Sequence, residues 1–578
     1  MKNILLVILL LFIAASCNLL DKPPLDKIST EQYWKTPGDL ENYTLQFYSS
    51  FPNFKNLGGW LGPIGNESNL GSDHQITTNP VTTLNGARTP VFSGGGWTWR
   101  DIRSVAIFFE NYKKVNAPIA SIKQYIGEAH FFLAYFYFQK VSQYGDVPWY
   151  TSSLQLNSPE LFTPRMSRTA AIDSVLARLD KAIHHLAFLK DVSGGNNRLS
   201  KEAALIFKSR VGLFEGSWQK YHAGTPFGTT GADPNKYFRA AADAATELMS
   251  GKYKAGIVGT SSDDYNKLFS STNLSSNNEV ILWARYDRTL QQWAHNFQQF
   301  VTASTGGVSV TYGLIQNYLG INGRPYNFAA AAAREQGSQF LTNIVANCDP
   351  RLSQVIWAPG QVMWDNAAGK YIFVKPFLDK SGDAIATTGF QLRKGVDPKD
   401  PTAGGAQGYS TQCETGAVVF RYAEALLNYA EAKAELGEAV HYATSLNLLR
   451  KRVSMPDFAI QSDASRSQYA DFGYTISDEL YEIRRERAVE LACENFRYDD
   501  WRRWRAHALF LGKRPKGMPL LKSEYPATKI RVDANNFIDP FAASLPTGYK
   551  FNAERDYLDC VPKNEIVLNP KLTQNPGW

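Results

Sequence analysis

The sequence predicts a mostly α-helical protein, in which about four helix pairs form an α-solenoid beside a loop-rich lobe with short strands. Two observations predict this architecture: eight segments repeat apolar residues at spacings of three and four, and long irregular segments separate them. The chain has 578 residues, of which 44% are hydrophobic and 20% charged. This composition is typical of a folded protein with a large core and excludes a disordered chain.

The charge distribution and the aromatic content indicate which kinds of ligand the protein could bind. The 61 basic and 54 acidic residues give a net charge of +7, and the basic residues are scattered along the chain. A nucleic-acid-binding protein needs them clustered on one face, so no nucleic-acid partner is expected. Aromatic residues make up 13% of the chain and include 13 tryptophans, which suits a protein that stacks flat rings on a ligand.

The N-terminus resembles a bacterial lipoprotein signal. Lys2 precedes an apolar stretch of eleven residues, and three small residues come directly before Cys17. We expect residues 1–16 to be a signal peptide, Cys17 to be acylated, and residues 17–38 to form an N-terminal tether to the membrane. The alternative is a plain signal peptide with an incidental cysteine. No later segment reaches about eighteen uninterrupted apolar residues.

Apolar stripes predict the helices. In the segment 121–144, Ile122, Ile126 and Ala129 begin such a stripe, and Gly145 ends the helix. The other predicted helices begin near Arg168 and Ser200, cover 237–249, 419–436, 440–453 and 478–494, and end with a shorter stretch from Asp499.

Three irregular segments, 52–96, 277–405 and 513–562, interrupt the helices. The run 279–283 within the second is typical of a strand. Long loops in a compact protein are usually functional or disordered, and these carry too many tryptophans to be linkers. We therefore predict an ordered second lobe built from loops.

Four cysteines remain after the signal: Cys348, Cys413, Cys493 and Cys560. They lie far apart, with no CxxC motif and no histidine at zinc-ligand spacing, so neither a metal nor another cofactor is expected. Disulfides and buried free thiols both remain open.

Several segments, in order along the chain, resemble the SusD/RagB family of glycan-binding outer-membrane lipoproteins of Bacteroidetes. The most specific is 480–504, which reads LYEIRRERAVELACENFRYDDWRRW. The others are 127–138 with 144–148, 349–352, 421–433 and 568–577.

The resemblance implies tetratricopeptide-like helix pairs, divided here into an N-terminal part, 39–276, and a C-terminal part, 277–578. It also implies a partner, a SusC-like TonB-dependent transporter whose opening the lipoprotein covers. The lipoprotein is expected at the outer membrane, on the side that faces the cell exterior. The family performs no chemistry, so no catalytic residue is expected.

One acidic row could suggest catalysis instead. Glutamates recur every four residues from Glu482 to Glu494, which places helical neighbours about 5–6 Å apart. The two carboxyl groups of a retaining glycosidase are about 5–5.5 Å apart. Interleaved arginines would hold these carboxylates ionised, whereas a general acid needs a raised pKa. We interpret the set as a structural ion network comprising Arg484, Glu486, Arg487, Glu490 and Glu494.

Candidate ligand contacts lie in the first irregular segment and in the loop that directly follows it, before the next helix. A sugar ring needs a flat aromatic side chain under its C–H face and polar groups at its rim. Trp97 and Trp99 could supply the former, and Asp73 and Arg88 the latter. The simpler alternative is that each loop tryptophan packs against the helices.

The resemblance adds the loops after the strand at 279–283 as ligand contacts. This implies roles for Tyr286, Trp293 and Tyr312.

The sequence therefore predicts a non-catalytic, surface-tethered lipoprotein that captures an oligosaccharide or polysaccharide and delivers it to a transporter. Two alternatives remain open: a glycoside hydrolase acting on the same polymers, and a scaffold whose helix pairs bind only protein. The ligand could also be a peptide.

Overall fold

The computed structural model describes residues 33–54, 62–290, 294–367, 369–405, 412–463, 466 and 469–578. Its α-helices are α1 Pro37–Leu45, α2 Gly62–Gly65, α3 Glu67–Leu70, α4 Thr82–Asn85, α5 Arg100–Asn111, α6 Ile119–Tyr144, α7 Arg168–His185, α8 Lys201–Tyr221, α9 Pro234–Met249, α10 Ser262–Ser270, α11 Phe297–Ala303, α12 Tyr312–Ile315, α13 Phe328–Arg334, α14 Gly337–Asn347, α15 Leu352–Val355, α16 Tyr422–Glu435, α17 Leu446–Arg452, α18 Asp478–Glu490, α19 Arg497–Arg503 and α20 Lys563–Leu568. Its strands are β1 Gln75–Ile76, β2 Val280–Ala284, β3 Ser309–Val310, β4 Val362–Asn366, β5 Gly369–Ile372, β6 Phe390–Gln391 and β7 Ala417–Arg421. The predicted class, mostly helical with short strands in a loop-rich lobe, is confirmed.

The long helices pack against one another in successive pairs. Helix α6 packs on α7, α8 on α9, α9 on α16, and α16 on α18. The predicted N-cap of α8 is confirmed, since the Ser200 hydroxyl accepts from the amide of Ala203. Helices α8 and α9 approach each other so closely at Gly212 that a β-carbon there would lie 2.7 Å from the carbonyl oxygen of Tyr237.

Two predicted helices have different bounds in the structure. The segment predicted at 419–436 begins as strand β7 and becomes helical only at Tyr422, because β7 pairs antiparallel with β2. The segment predicted at 440–453 contains a 3-10 turn at Tyr442–Thr444 and the short helix α17. In the first case the pairing with a strand distant in sequence overrides the local apolar spacing.

Two large hydrophobic cores, with a small cluster between α8, α9 and α16, fill the described part of the molecule. One combines the helical body, from Trp34 to Leu282, with residues from Phe420 to Leu572. The other fills the loop-rich lobe and draws on residues from Phe54 to Ile538. Both contain residues from before and after position 276, so the predicted division at 276/277 does not coincide with the boundary between the cores.

Helix α18 and the β2–β7 pair belong to both cores. Tyr481 and Ile483 of α18 lie in the helical core, whereas Val489 lies in the core of the lobe. In the same way, β2 places Leu282 in the first core and Trp283 in the second. These elements therefore join the helical body to the lobe. Within the described ranges, no helix combines the length and apolar character needed to cross a bilayer.

A buried ion network surrounds α18, and Glu490 lies at its centre. Its Oε1 accepts from Nη2 of Arg452 at 2.5 Å and Nη1 of Arg421 at 2.6 Å, and its Oε2 accepts from Nη1 of Arg351 at 2.8 Å. Glu279, just before β2, pairs with both Arg421 and Arg452. Burial alone would raise the pKa of Glu490, but the three guanidiniums lower it well below its usual range.

The network extends along α18 in both directions. Glu486 pairs with Arg351 and Arg450, each at 2.8 Å. Beyond the helix, Glu494 pairs with Arg421 at 2.7 Å and Lys394 at 2.6 Å.

The opposite side of α18 carries arginines that pair with other helices. Arg484 pairs with Glu435 of α16 at 3.0 Å, and Arg487 with Asp500 of α19 at 2.9 Å. The ion pairs therefore fix α18 against both the lobe and the helical body.

We expect Glu490→Gln to reduce the free energy of unfolding by about 3–5 kcal/mol, because it leaves buried guanidiniums without their shared anion. Urea unfolding followed by circular dichroism measures the change. Glu438→Gln is the matched control, since Glu438 pairs with Arg239 and Lys433 at the surface. Equal unfolding midpoints for the two variants would contradict a central role for Glu490.

We also expect stability to fall as the pH drops from about 4 towards 2. Although burial raises the pKa of Glu431, the Arg503 guanidinium beside it lowers that pKa to about 2. A carboxyl group whose pKa is lower in the folded state stabilises the protein above its unfolded pKa, near 4.3, and loses that contribution as the pH falls.

The pKa shifts of Glu67 and Glu482 on folding have the opposite sign to that of Glu431, because burial raises the pKa of each to about 7. Both are protonated in the folded and unfolded states below about pH 4, so they do not affect this acid limb. Unfolding midpoints measured from pH 5 to pH 2 test the prediction, and a flat profile would refute it.

Candidate functional site

The structure distributes the predicted ligand contacts over three places. Trp97 and Trp99 lie together beside the start of α5, and Arg88 lies earlier in the same loop, against the C-terminal segment. Asp73 and Tyr312 flank the three-stranded sheet β1–β3–β6, where Asp73 precedes β1 and Tyr312 follows β3. Tyr286 lies at a third position, after β2.

The loop before α5 is fastened by the C-terminal segment. Arg88 donates to the Asp559 carboxylate and to the carbonyl oxygen of Asp556 at 2.9 Å. Its guanidinium also lies 5.0 Å from the ring centroid of Trp578. Lys563 donates its backbone amide to the carbonyl of Val91 at 3.1 Å. Arg88 therefore positions the loop.

Trp97 and Trp99 have different surroundings. Trp97 is buried, and its ring lies edge-on to those of Tyr144 at 4.7 Å and Trp99 at 5.3 Å. Trp99 is half-buried and lies edge-on to Tyr150 at 5.3 Å. Trp97 thus supports Trp99, which offers part of its ring to solvent.

These rings line a cavity of about 460 Å³, which we call the aromatic cavity. Its wall combines the loop before α5, the segment 150–162 and helix α20, and includes Trp97, Trp99, Arg100, Ile102, Arg103, Tyr150, Leu156, Phe162, Glu565 and Leu568. Leu156 at 98% and Leu568 at 60% are strongly exposed beside it. The cavity therefore offers a ligand apolar and aromatic surface with charged groups at the edge.

The sequence reasoning missed Tyr150, Phe162 and Leu568. Tyr150 follows the recognised motif 144–148 closely, which could have drawn attention to it. Leu568 begins the recognised segment 568–577, but it reaches the cavity only because the C-terminal segment returns to the loop before α5, which the sequence does not reveal.

Asp73 binds another part of the protein. Its two carboxylate oxygens accept from Nε and Nη2 of Arg497 at 2.7 and 2.6 Å. Arg497 begins α19, so this bidentate pair ties β1 to the last helices. Tyr312 packs its ring 4.8 Å from that of Phe537, in the lobe.

Tyr286 is buried, and its hydroxyl accepts from the amide of Phe54 at 2.8 Å. It lines another cavity, of about 820 Å³, together with Tyr48 and Arg285. Trp293, predicted as a contact in the same loop, lies outside the described residues, as does Cys17.

The expectation that arginines hold the acidic row ionised is wrong for Glu482, because burial raises its pKa to about 7, but its side chain is fully buried. The two central glutamates of the row are inaccessible to a polymer. Glu486 is 3% exposed and Glu490 fully buried, and Arg351 contacts both. The pKa of each is lowered by neighbouring arginines against the effect of burial, so neither suits a general acid. The pair lacks both the access and the proton affinity that a glycosidase requires.

The four later cysteines are buried free thiols. Burial raises the pKa of Cys413 to about 12, which makes it a poor nucleophile. Within the described part of the chain, no three His, Cys, Asp or Glu side chains form a group that could hold a metal ion.

Comparison with known sequences identifies one family. The model of the SusD family matches residues 270–578. A SusD-like protein of Formosa agariphila is 27% identical over 221 residues, which are 37% of this chain and 42% of that protein. The chain thus matches less than half the length of this relative.

Solved structures extend the similarity over almost the whole chain. A SusD-like protein of Bacteroides fragilis has a TM-score of 0.72 and 22% identity, covering 96% of this chain and 100% of that one. A SusD-like carbohydrate-binding protein of the same species has a TM-score of 0.71 and 19% identity, covering 94% and 100%. A SusD homologue of Bacteroides thetaiotaomicron has a TM-score of 0.63 and 16% identity, covering 96% and 99%. At these identities the likeness concerns the fold.

Proposed function

This chain belongs to the SusD family, and on that premise we propose that it is a non-catalytic, cell-surface lipoprotein that binds a glycan. It captures an oligosaccharide and delivers it to a TonB-dependent transporter in the outer membrane, to which Cys17 anchors it through acyl chains. Membership of the family, whose model matches residues 270–578, is the observation that carries the proposal.

The aromatic cavity is the site we propose for the sugar. Trp99 and Tyr150 form an angled aromatic wall, and the half-exposed Trp99 can lie against the C–H face of a pyranose ring. Arg100 and Arg103, at the edge of the cavity, are within reach of the ring hydroxyls as donors. Trp97 is buried beside Trp99 in the cavity wall and holds it in place.

The buried acidic row supports binding without turnover. Its carboxylates are engaged by arginines in the core, where a glycan has no access. Among the residues that line the aromatic cavity, Glu565 is the one that carries a carboxyl group. Most glycosidases use two carboxyl groups, one on each side of the bond that is cleaved.

We expect Trp99→Ala to weaken glycan binding about tenfold by removing the stacking surface. The chain from Asn18 onward, made without lipid, is run in gels containing a panel of polysaccharides, and retardation gives the affinity. Trp364→Ala is the matched control, since Trp364 is a half-buried tryptophan that stacks on Tyr371 in the β4–β5 hairpin. Urea unfolding of each variant verifies the fold.

A reducing-sugar assay on the same mixtures tests for cleavage. Retardation without new reducing ends is the expected result. Release of reducing sugar by the purified chain, or equal affinities for the Trp99 and Trp364 variants, would refute the corresponding part of the proposal.

We expect Cys17→Ala to release the protein from the membrane, because the thiol is the site of acylation. Fractionation of cells, together with metabolic labelling by an alkyne fatty acid, measures both properties. The control is Cys560→Ala, which removes a buried free thiol. An unlabelled wild-type protein, or a Cys17→Ala variant that stays labelled in the membrane fraction, would contradict the anchor.

A further inference from the structure

A second pocket shares Tyr150 with the aromatic cavity. It has a volume of about 300 Å³ and lies among α5, α6, α7 and the segment after Tyr150. Three cationic side chains line it, Lys113, Arg178 and Lys181, and His130 lies at its buried wall. We call this the cationic pocket.

Arg178 is half-buried, but its guanidinium is sparsely bonded. Nη1 lies 3.4 Å from Nδ1 of His130, and the guanidinium carbon lies 5.5 Å from the ring centroid of Phe109. Burial lowers the pKa of Arg178, and Tyr137 opposes this effect only in part. The guanidinium therefore keeps donors for an external partner.

Several arginines of the helical body have carboxylate partners. Arg168 pairs with Glu215 at 2.8 Å, and Arg210 pairs with Glu424 at 2.6 Å. Among the residues that the structure describes, Arg178 has no such ion pair, and neither do the two lysines of the cationic pocket. The half-buried Arg165 also lacks a carboxylate, but it donates to the carbonyl of Asp146 and the amide oxygen of Asn575. Arg178 is thus a partly desolvated cation whose nearest polar neighbour is an imidazole, and desolvation of a charge is costly.

Nearby acidic residues are already engaged. Glu110 of α5 accepts from the amide of Ser153 at 2.7 Å and from its hydroxyl at 2.6 Å. Asp180, beside Lys181 on α7, pairs with Lys208 of α8. Glu565 lines the aromatic cavity and not the cationic pocket.

The pKa of His130 reflects both its burial and the positive charges that surround it in the pocket. Burial lowers its pKa most, and the positive charges of Arg178 and Lys181, with His185, lower it further, to about 3. The imidazole is therefore neutral near pH 7, and its Nδ1 can accept from Arg178. A field that opposes protonation of a histidine favours an incoming anion.

We infer that the bound glycan carries an anionic substituent, a sulfate ester or a carboxylate, and that the cationic pocket binds this group while a neighbouring sugar ring lies against Trp99 and Tyr150. The inference rests on the proposed glycan-binding function and adds the chemical class of the ligand. The planar guanidinium of Arg178 presents parallel N–H donors that match two oxygens of such a group. Lys113 and Lys181 add charge at the entrance.

The test uses polysaccharides in pairs that differ only in charge, at physiological ionic strength. Chondroitin sulfate is compared with desulfated and carboxyl-reduced chondroitin, dextran sulfate with dextran, and polygalacturonate with its carboxyl-reduced form. The lipid-free chain from Asn18 onward, its Arg178→Gln variant and its Lys181→Gln variant are run in gels that contain each polymer. Lys181 is exposed, so its replacement keeps the test valid if Arg178→Gln impairs folding.

Lys236→Gln is the matched control, because it removes one positive charge from a surface pair with Asp173, outside the pocket. We expect tighter binding of the charged member of at least one pair. Arg178→Gln should weaken that binding about tenfold, as expected for the loss of one charge-assisted hydrogen bond, and leave the neutral member unaffected. Lys236→Gln should change neither.

Four outcomes would overturn the inference. Equal binding of both members of every pair would leave glycan binding intact but exclude an anionic ligand. Equal losses in the Arg178 and Lys236 variants would show only nonspecific attraction to a chain with net positive charge. Binding of inorganic sulfate, measured by calorimetry, without binding of any charged polymer would identify a site for the free ion. Failure of every charged and neutral polymer to bind would refute the proposed function as well.

Discussion

The structure depends on one electrostatic constraint, which is that arginines buried between its two cores must share a small number of carboxylates. Removing a guanidinium from water costs several kcal/mol unless anions surround it. Glu490 contacts three arginines from separate parts of the chain, Arg351, Arg421 and Arg452, and each can be neutralised only if its own segment reaches α18. The loop before α15, the end of β7 and the end of α17 are therefore held at one place, and the lobe is fixed against the helical body. Hydrophobic packing alone is less directional and would allow these segments to slide.

The same chemistry distinguishes structural charges from functional ones. Around α18, most carboxylates and guanidiniums are buried and paired with groups of opposite charge from other parts of the chain. In the cationic pocket the charges are of one sign, and the acidic residues closest in sequence are engaged by Ser153 and Lys208. A cluster of paired opposite charges stabilises the fold, whereas a cluster of charges of one sign favours binding of an external group of the opposite charge.

The parts that could be predicted from sequence are those fixed by local periodicity. The apolar stripe that begins at Ile122 places α6 correctly, because spacings of three and four are a property of the helix itself. The stretch from Val419 to Arg421 could not be assigned locally, since its partner strand β2 lies about 140 residues earlier. Arg88 was proposed as a ligand contact on local composition, but its partner Asp559 lies 471 positions further along the chain. The surroundings of polar loop residues in this fold are determined by such long-range pairs, which a single sequence does not reveal.

The residues that identify the family and the residues of the proposed ligand site lie in different parts of this chain. The family model matches residues 270–578, which include α18 and the ion network. The aromatic cavity and the cationic pocket are built mainly from residues 97–181, and α20 is the one helix of the matched region among the residues that line them. If the proposed site binds the ligand, substitutions in the loop before α5 or along the exposed face of α7 can change the ligand and leave the contacts of Glu490 untouched. The fold and the chemistry of the proposed site therefore depend on separate sets of side chains, so one can vary without the other.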